Sequence, residues 1–217
     1  MISTSRRFIV GDIHGCVQEL NNLLKEFQFS PSKDQLYSVG DVMGKGPYPL
    51  ESLKLLKYSQ AKIVLGNHEV GFLRGLHLPI EQQSHWHKKY IASLGKEVEY
   101  WKEEMQSWPY YIEEEDIIIV HAGLEPGISK LKDMDPDILT RIRLWKDPST
   151  GKDSPWFNHI YTTKKVIFGH WAAKGLVNML QFKGLDTGCV YGNGLTGYCP
   201  EEDKLYHVPS LNQYCKI

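Results

Sequence analysis

Five short runs in this sequence join glycine to side chains that can hold metal ions. They are Gly11-Asp12-Ile13-His14-Gly15, Gly40-Asp41, Gly66-Asn67-His68-Glu69, His121-Ala122-Gly123 and Gly169-His170. The glycines let the backbone turn tightly and approach a small bound group. The donors are imidazole nitrogens and hard carboxylate or amide oxygens, a set that suits Mn²⁺, Fe or Zn²⁺ better than a structural thiolate site. Two divalent ions would bring more positive charge than Asp12 and Asp41 return, and the surplus can hold a bridging hydroxide and phosphate oxygens. Paired ions about 3.5–4 Å apart activate a water and clamp a phosphoryl group during in-line displacement. Singly, each run is weak: Asp-x-His after a strand is more often a turn with a hydrogen-bonded histidine. The weight lies in five runs in a fixed order, each behind an apolar segment.

Those segments are the elements that must deliver the side chains. Residues 7–10 read as a strand ending at Gly11, 36–39 as a second ending at Gly40, and 62–65 as a third ending at Gly66. Between them, Val17, Leu20, Leu23, Leu24 and Phe27 recur at helical spacing. Leu50, Leu53, Leu55 and Leu56 follow Pro47 and Pro49, which open another helix. Strand-helix alternation predicts a parallel sheet with covering helices. In such sheets ligands bind beyond the carboxyl ends of the strands. Residues 69–108 differ: rich in Trp, His, Lys and Glu, they read as a helical excursion, with helices near 81–94 and 96–106. Strands at 110–112, 116–120, 166–168, 179–185 and 204–208 predict a second sheet, and 151–155 reads as an exposed loop. The expected architecture is α/β: one domain over 1–217, with two sheets flanked by helices.

The chain has 217 residues, 41% of them hydrophobic, which is enough to bury a sizeable core. A net charge of -1 lacks the basic excess of a nucleic-acid binder. The four cysteines (16, 189, 199 and 215) form no CxxC pair and read as reduced thiols of a cytoplasmic protein. The first ten residues do not form a signal peptide, and no apolar stretch is long enough for a membrane span.

Taken together, the five runs resemble the calcineurin-like metallophosphoesterases of the phosphoprotein phosphatase superfamily. The signature there is Gly-Asp-x-His-Gly, Gly-Asp-x-x-x-Arg-Gly, Gly-Asn-His-Glu, His-Gly/Ala-Gly and a late histidine; here Gly40–Gly46 supplies the second. The resemblance spans 8 to about 208 and implies the double-sheet sandwich of that family. It implies Asp12, His14 and Asp41 on one ion, and a bridging Asp41 with Asn67, His121 and His170 on the other. Mn²⁺ is the first choice, with Fe, Zn, Co and Ni as alternatives. It further implies that His68 is the general acid that protonates the leaving oxygen.

Several details are similar to the symmetrical diadenosine tetraphosphatase branch and its small bacterial protein-phosphatase relatives. Many relatives end in Gly-His-x-His, but here Ala172 takes the last place; Gly184–Gly192, Gly194–Tyr198, Pro47 and Leu50-Glu51 also look like that branch. Asp186 reads equally as a substrate contact or as a residue that orients a ligand histidine. Two positions depart from the protein-phosphatase pattern. Lys45 replaces Arg and gives up its bidentate fork. Gly44 stands where protein phosphatases carry an Asp that supports the acid histidine. Both turn the reading toward nucleotide polyphosphates. Arg141 and Arg143 are candidate phosphate clamps, Arg143 being favoured, against a solvated helix face. The expected function is hydrolysis of a dinucleoside tetraphosphate into two nucleoside diphosphates through a bridging hydroxide, with His68, Asp41, Lys45 and Arg143 catalytic. The alternatives are a phosphoprotein phosphatase of the same fold and a weakened nucleotide-binding module.

Smaller features stay open. His85–Lys89 reads as a lid above the metals or as a solvated helix with Trp86 packed inward. Trp145, Trp171 and Tyr198 could stack an adenine or simply pack. Glu97, Glu99, Glu103 and Glu104 read as a solvated face, and Gly192-Asn193-Gly194 as a hairpin turn.

Overall fold

Near-continuous apolar runs make strands that are buried on both faces, and the first strands follow that rule. The computed structural model describes residues 5–216. Residues 1–4, part of the N-terminal stretch read above for a leader, lie outside it. Strand β1 (Arg6–Val10), helix α1 (Val17–Phe27), β2 (Asp34–Ser38), α2 (Pro49–Tyr58) and β3 (Lys62–Ile63) come first, and β1, β2 and β3 pair in parallel. Strand alternation sorts the side chains. Phe8, Val10 and Leu36 face the helices, while Ile9, Tyr37 and Val39 face the opposite way. Helix α1 buries Leu20, Leu23, Leu24 and Phe27, one apolar stripe, and stops where Gln28 turns left-handed at φ 57°. Helix α2 begins on Pro49, whose fixed φ and missing N–H suit a first turn.

The predicted excursion forms three helices: α3 (Asn67–Leu76), α4 (His85–Leu94) and α5 (Val98–Gln106). Then come β4 (Tyr111–Glu113), β5 (Ile117–Val120), α6 (Pro136–Arg141), β6 (Leu144–Lys146), β7 (Asp153–Pro155), β8 (Lys165–Phe168), β9 (Val177–Asn178), β10 (Phe182–Gly184), β11 (Gly194–Cys199) and β12 (Lys204–Pro209). One sheet runs β12-β11-β1-β2-β3 and the other β4-β5-β8-β10-β9, with β6-β7 a separate ribbon. Ile9, Tyr37, Val39 and Val64 of the first sheet meet Ile117, Ile119, Ile167, Leu185 and Tyr198 between the sheets. Val120, Val166 and Phe168 face outward onto Trp156 and Phe157. Each fully buried side chain of this size contributes about 1.5–3 kcal/mol of burial. The α/β double sheet flanked by helices is as expected.

Three details correct the sequence reading. Residues 204–208 belong to the first sheet, because β11 crosses over to pair antiparallel with β1 and β12 follows it. Gly192–Gly194 is therefore no hairpin: it lies between β10 and β11, which sit in different sheets. Asp153–Pro155 is strand rather than loop, paired with Leu144–Lys146. Among the described residues, no helix is long and apolar enough to cross a membrane.

Candidate metal centre

The parallel strands β1, β2 and β3 in one sheet and β5, β8 and β10 in the other all end toward the same place. Asp12 and His14 follow β1, Asp41 follows β2, Asn67 and His68 follow β3, His121 follows β5, His170 follows β8 and Asp186 follows β10. Asp41 sits at the middle. Its Oδ2 lies 3.6 Å from His14 Nε2, and its Oδ1 lies 3.5 Å from His121 Nε2. One carboxylate thus turns an oxygen toward each histidine set. Asp12, Asp41 and His121 offer ligand atoms within 4.8 Å of one another, as do His14, Asp41 and His68.

The second set tests whether a cation fits. Asn67 Oδ1 stands 3.0 Å from His121 Nε2 and 2.8 Å from His170 Nδ1. The other ring nitrogens are committed: His121 Nδ1–H donates to Val39 O at 2.8 Å and His170 Nε2–H to Arg141 O at 3.1 Å. With the ring protons on that committed side, the facing nitrogens carry lone pairs aimed at an amide oxygen. A cation among them turns that repulsion into coordination, so the donor set fits a metal ion. Backbone carbonyls that fix the far nitrogen are the usual way to orient a ligand imidazole. His14 follows suit, with Nδ1–H donating to Met43 O at 3.3 Å. Burial pushes His14 and His170 down to about 3, so both rings are neutral and ligand-competent.

The turns are held under backbone strain. His14, Asp41 and His170 adopt φ of 48°, 49° and 68°, in the left-handed region that costs a non-glycine residue about 1–2 kcal/mol. Glu69 fastens two turns together, because its buried carboxylate accepts from Gly66 N (3.0 Å), Asp41 N (2.9 Å) and Met43 N (3.1 Å). Burial, then the charge of Asp41, pushes its carboxyl up to about 8, and the three N–H donors pull the other way. Gly169 lies against Asp12: a Cβ there would stand 1.9 Å from Oδ1, which instead accepts from His170 N at 3.1 Å.

A cavity of about 330 Å³ opens above these atoms. Asp12, His14, Asp41, Asn67, His68 and His170 form its floor, while Lys45, Arg143, Asp186, Tyr191 and Asn193 form its walls. His121 lies beneath, fully buried. Lys45 Nζ donates to the Tyr191 hydroxyl and lies 4.9 Å from that ring's centre. Arg143 donates to His170 O at 3.3 Å from the segment between α6 and β6, not from a helix face. Arg141 ends α6 outside the cavity wall. Asp186 accepts from Gly188 N at 3.1 Å rather than from a ligand histidine. Burial raises its carboxyl to about 6. Asp12 is raised too, first by burial and then by Asp186, so a third carboxylate lies beside the floor.

His68 has a partner that the sequence hid. Its Nδ1 lies 3.0 Å from the hydroxyl of Tyr90 on α4, and its Nε2 lies 3.9 Å from Asp41 Oδ2. Burial lowers its pKa, Asp41 opposes that, and Lys45 adds to the lowering. The Trp86 ring lies 4.8 Å from Tyr90 and 6.3 Å from His68. Trp86 is therefore not the inward residue of α4: it stays 41% exposed beside the site, while His87 is buried against Phe72. Of the candidate adenine stackers, Tyr198 is sealed between the sheets, and Trp145 and Trp171 pack on the outer face of the second sheet. Among the described residues, Tyr191 is the tyrosine that lines the cavity. The spacing of the glycine runs carried no hint of Tyr90 or Tyr191.

Comparison with known proteins agrees with this arrangement. A protein of Vibrio parahaemolyticus named symmetrical bis(5'-nucleosyl)-tetraphosphatase is 30% identical over 271 residues, covering 94% of this chain and 99% of its own. One of the same name from Vibrio campbellii is 28% identical, covering 94% and 99%. A solved structure described as "a putative diadenosine tetraphosphatase" superposes with a TM-score of 0.81 at 29% identity, over 96% of this chain and 95% of the other. The calcineurin-like phosphoesterase family model matches residues 6–203, and the chain, a phosphohydrolase, belongs to that family.

Proposed function

We propose that this protein hydrolyses dinucleoside tetraphosphates symmetrically, releasing two nucleoside diphosphates, with Mn²⁺ as the working metal. The observation that carries the reading is the match to symmetrical tetraphosphatases along 94% of this chain and 99% of theirs. The cavity supports it. Its volume of about 330 Å³ lies at the small end for ligand sites, so it suits the reacting phosphates and leaves the nucleosides toward the rim. Lys45 and Arg143 on its walls offset the third carboxylate, Asp186, and favour a polyanion. Reduced cysteines fit a cytoplasmic enzyme, and the chain would act as one domain.

Asp12, His14 and Asp41 would hold one ion, and Asp41, Asn67, His121 and His170 the other. When bound, the pair supplies Lewis-acid polarisation of the phosphoryl oxygens and a water acidic enough to attack. Arg143 and Lys45 orient the substrate and stabilise charge developing on its oxygens. Tyr191 holds the Lys45 ammonium at the wall, which offsets some of the rigidity lost with the missing guanidinium. His68 presents Nε2 to the cavity and gives its proton to the departing phosphate oxygen.

The test uses the Mn²⁺-loaded protein with diadenosine tetraphosphate and a phosphopeptide side by side. ADP as the sole nucleotide product is expected. ATP with AMP would overturn the symmetrical reading, and phosphopeptide turnover without ADP would overturn the substrate class.

A further inference from the structure

The Tyr90 hydroxyl reaches His68 by a built route rather than by chance proximity. Tyr90 lies on α4, is 4% exposed, and its only side-chain hydrogen bond among the described residues goes to His68 Nδ1 at 3.0 Å. The helix that carries it is socketed. His87, one turn earlier, is buried with its ring stacked on Phe72 of α3 at 5.5 Å and 15°. The socket exists because residue 75 is glycine: a Cβ there would meet His87 Cε1 at 1.8 Å. At the first turn of α4 the Ser84 side chain accepts from His87 N. Trp86 packs over Gly71, where an added Cβ would stand 3.1 Å from its ring, and so closes the outer side of Tyr90. On the other side residue 44 is glycine: a Cβ there would stand 2.5 Å from His14 Nδ1 and 3.2 Å from His68 Nδ1.

From this geometry we propose that Tyr90 is the positioning residue of His68: it fixes the imidazole so that Nε2 faces the leaving oxygen. The proposal rests on His68 being the general acid, as set out above. A tyrosine suits the task because its hydroxyl both donates and accepts. It can accept from the Nδ1–H of an imidazolium before proton transfer and keep that bond to the neutral ring afterwards. It does so without adding a charge beside Asp41. The proton on Nε2 passes to the departing oxygen, and Nδ1 keeps its own. The functional consequence is a graded one. A general acid matters most where the leaving oxygen is strongly basic and least where it is weakly basic. Tyr90 should therefore govern which phosphate esters the enzyme can open besides phosphoanhydrides.

Tyr90→Phe removes only the hydroxyl and keeps the ring between Trp86 and His68. Hydrolysis of phenyl phosphate, a poor leaving group, and of p-nitrophenyl phosphate, a good one, would be measured in four proteins: wild type, Y90F, H68N and the double variant. The expected result for Y90F is about a tenfold fall in kcat on phenyl phosphate, with less than about a threefold fall on p-nitrophenyl phosphate and no change in KM. In the H68N background Y90F should have no further effect, because a residue acting through His68 loses its lever there. A second readout needs no turnover. In the metal-free protein, nitrogen-15 NMR of the His68 ring, assigned by its loss in H68N, should show the Nδ1 resonance displaced in Y90F by loss of its hydrogen bond. Equal falls on both esters that persist in the H68N background would overturn the proposal and leave Tyr90 a packing residue. A His68 Nδ1 resonance unchanged in Y90F would overturn it as well. If H68N itself lowered both esters equally, the general-acid reading of His68 would fall instead.

Discussion

The site is made by two regions that solve the same problem differently. The strand-end turns place the candidate metal donors through the backbone: all but His121 sit next to a glycine, at the end of a strand fixed in a sheet. Three of these residues accept left-handed φ values, a strain the sheets above and below over-determine. Helix α4 makes no use of sheet geometry. It brings Tyr90 and Trp86 to His68 by side-chain packing, through a histidine seated on a glycine. The lesson is a division of labour. On the proposed function, rigid strand ends would set the ion positions, whereas the orientation of His68 hangs on a helix that carries none of the proposed ligands.

The most direct way to break the comparison is at Asp41, the residue with one oxygen toward each donor set. Asp41→Asn should lower kcat by roughly 10³-fold or more and bring bound Mn²⁺, measured by elemental analysis, below two per chain. Two retained ions with intact activity would mean that the turns are not the cage. His68→Asn should behave differently. A loss of about 10²–10⁴-fold on phenyl phosphate is expected with metal content unchanged, because His68 serves as acid rather than ligand. Loss of an ion in that variant would move His68 into the cage beside His14 and Asp41, whose atoms it approaches closely enough.

How much of this was legible in sequence follows the same division. The cage could be read because its chemistry is local: Asp12-Ile13-His14 and Asn67-His68 need only a strand before them and glycines beside them. Asp186 was visible as a polar strand end, yet its bond to Gly188 N shows that its neighbours are decided by the turn, not by the histidines. Helical spacing predicted α4 but not its rotation. Trp86 is the larger apolar residue and reads as the inward one, whereas the Gly75 socket selects His87. Gly75 and His87 are twelve positions apart on different helices, and no periodicity links them. The placement of β12 fails for a related reason. A strand's sheet is fixed by where the chain crosses over, and β11 crosses at a glycine-rich turn that local pattern reads as a hairpin.

Acid should loosen the cage in a way that distinguishes it from the excursion. His14 and His170 have pKa values near 3 in the folded chain, below the ordinary 6.5. As pH falls below 6.5 the unfolded chain takes up protons first, so stability present above that value is lost between 6.5 and 3. From pH 7.5 to 5 these two rings cost the metal-free protein up to about 2 kcal/mol each, offset by Glu69 and Asp186, whose carboxyls, raised to about 8 and about 6, take up protons first in the folded chain. His170→Asn isolates one ring's share: the variant's urea midpoint at pH 5, relative to its own at pH 7.5, should stand above the wild type's, and an equal change in both would mean that the ring is not held neutral and buried. Saturating Mn²⁺ at pH 7.5 should raise the midpoint, since an ion that binds only the folded chain stabilises it by mass action.

The smallest effect sharpens the comparison on the wall opposite α4. Arg143 and Arg141 are two residues apart and equally plausible in sequence, yet Arg143 lines the cavity and donates to His170 O, while Arg141 touches the site only through its carbonyl. Arg143→Ala should therefore raise KM for diadenosine tetraphosphate about tenfold, the scale of one charged hydrogen bond to substrate, about 1.5–3 kcal/mol at its lower end. Arg141→Ala should leave KM within about twofold, because its backbone carbonyl still accepts from His170 and a surface charge at that distance is screened. Steady-state kinetics on both variants decides it. If the two change alike, the wall acts by summed charge rather than by contact. If Arg141→Ala is the worse, the substrate leaves the cavity along α6, and the phosphate path must be redrawn toward that helix.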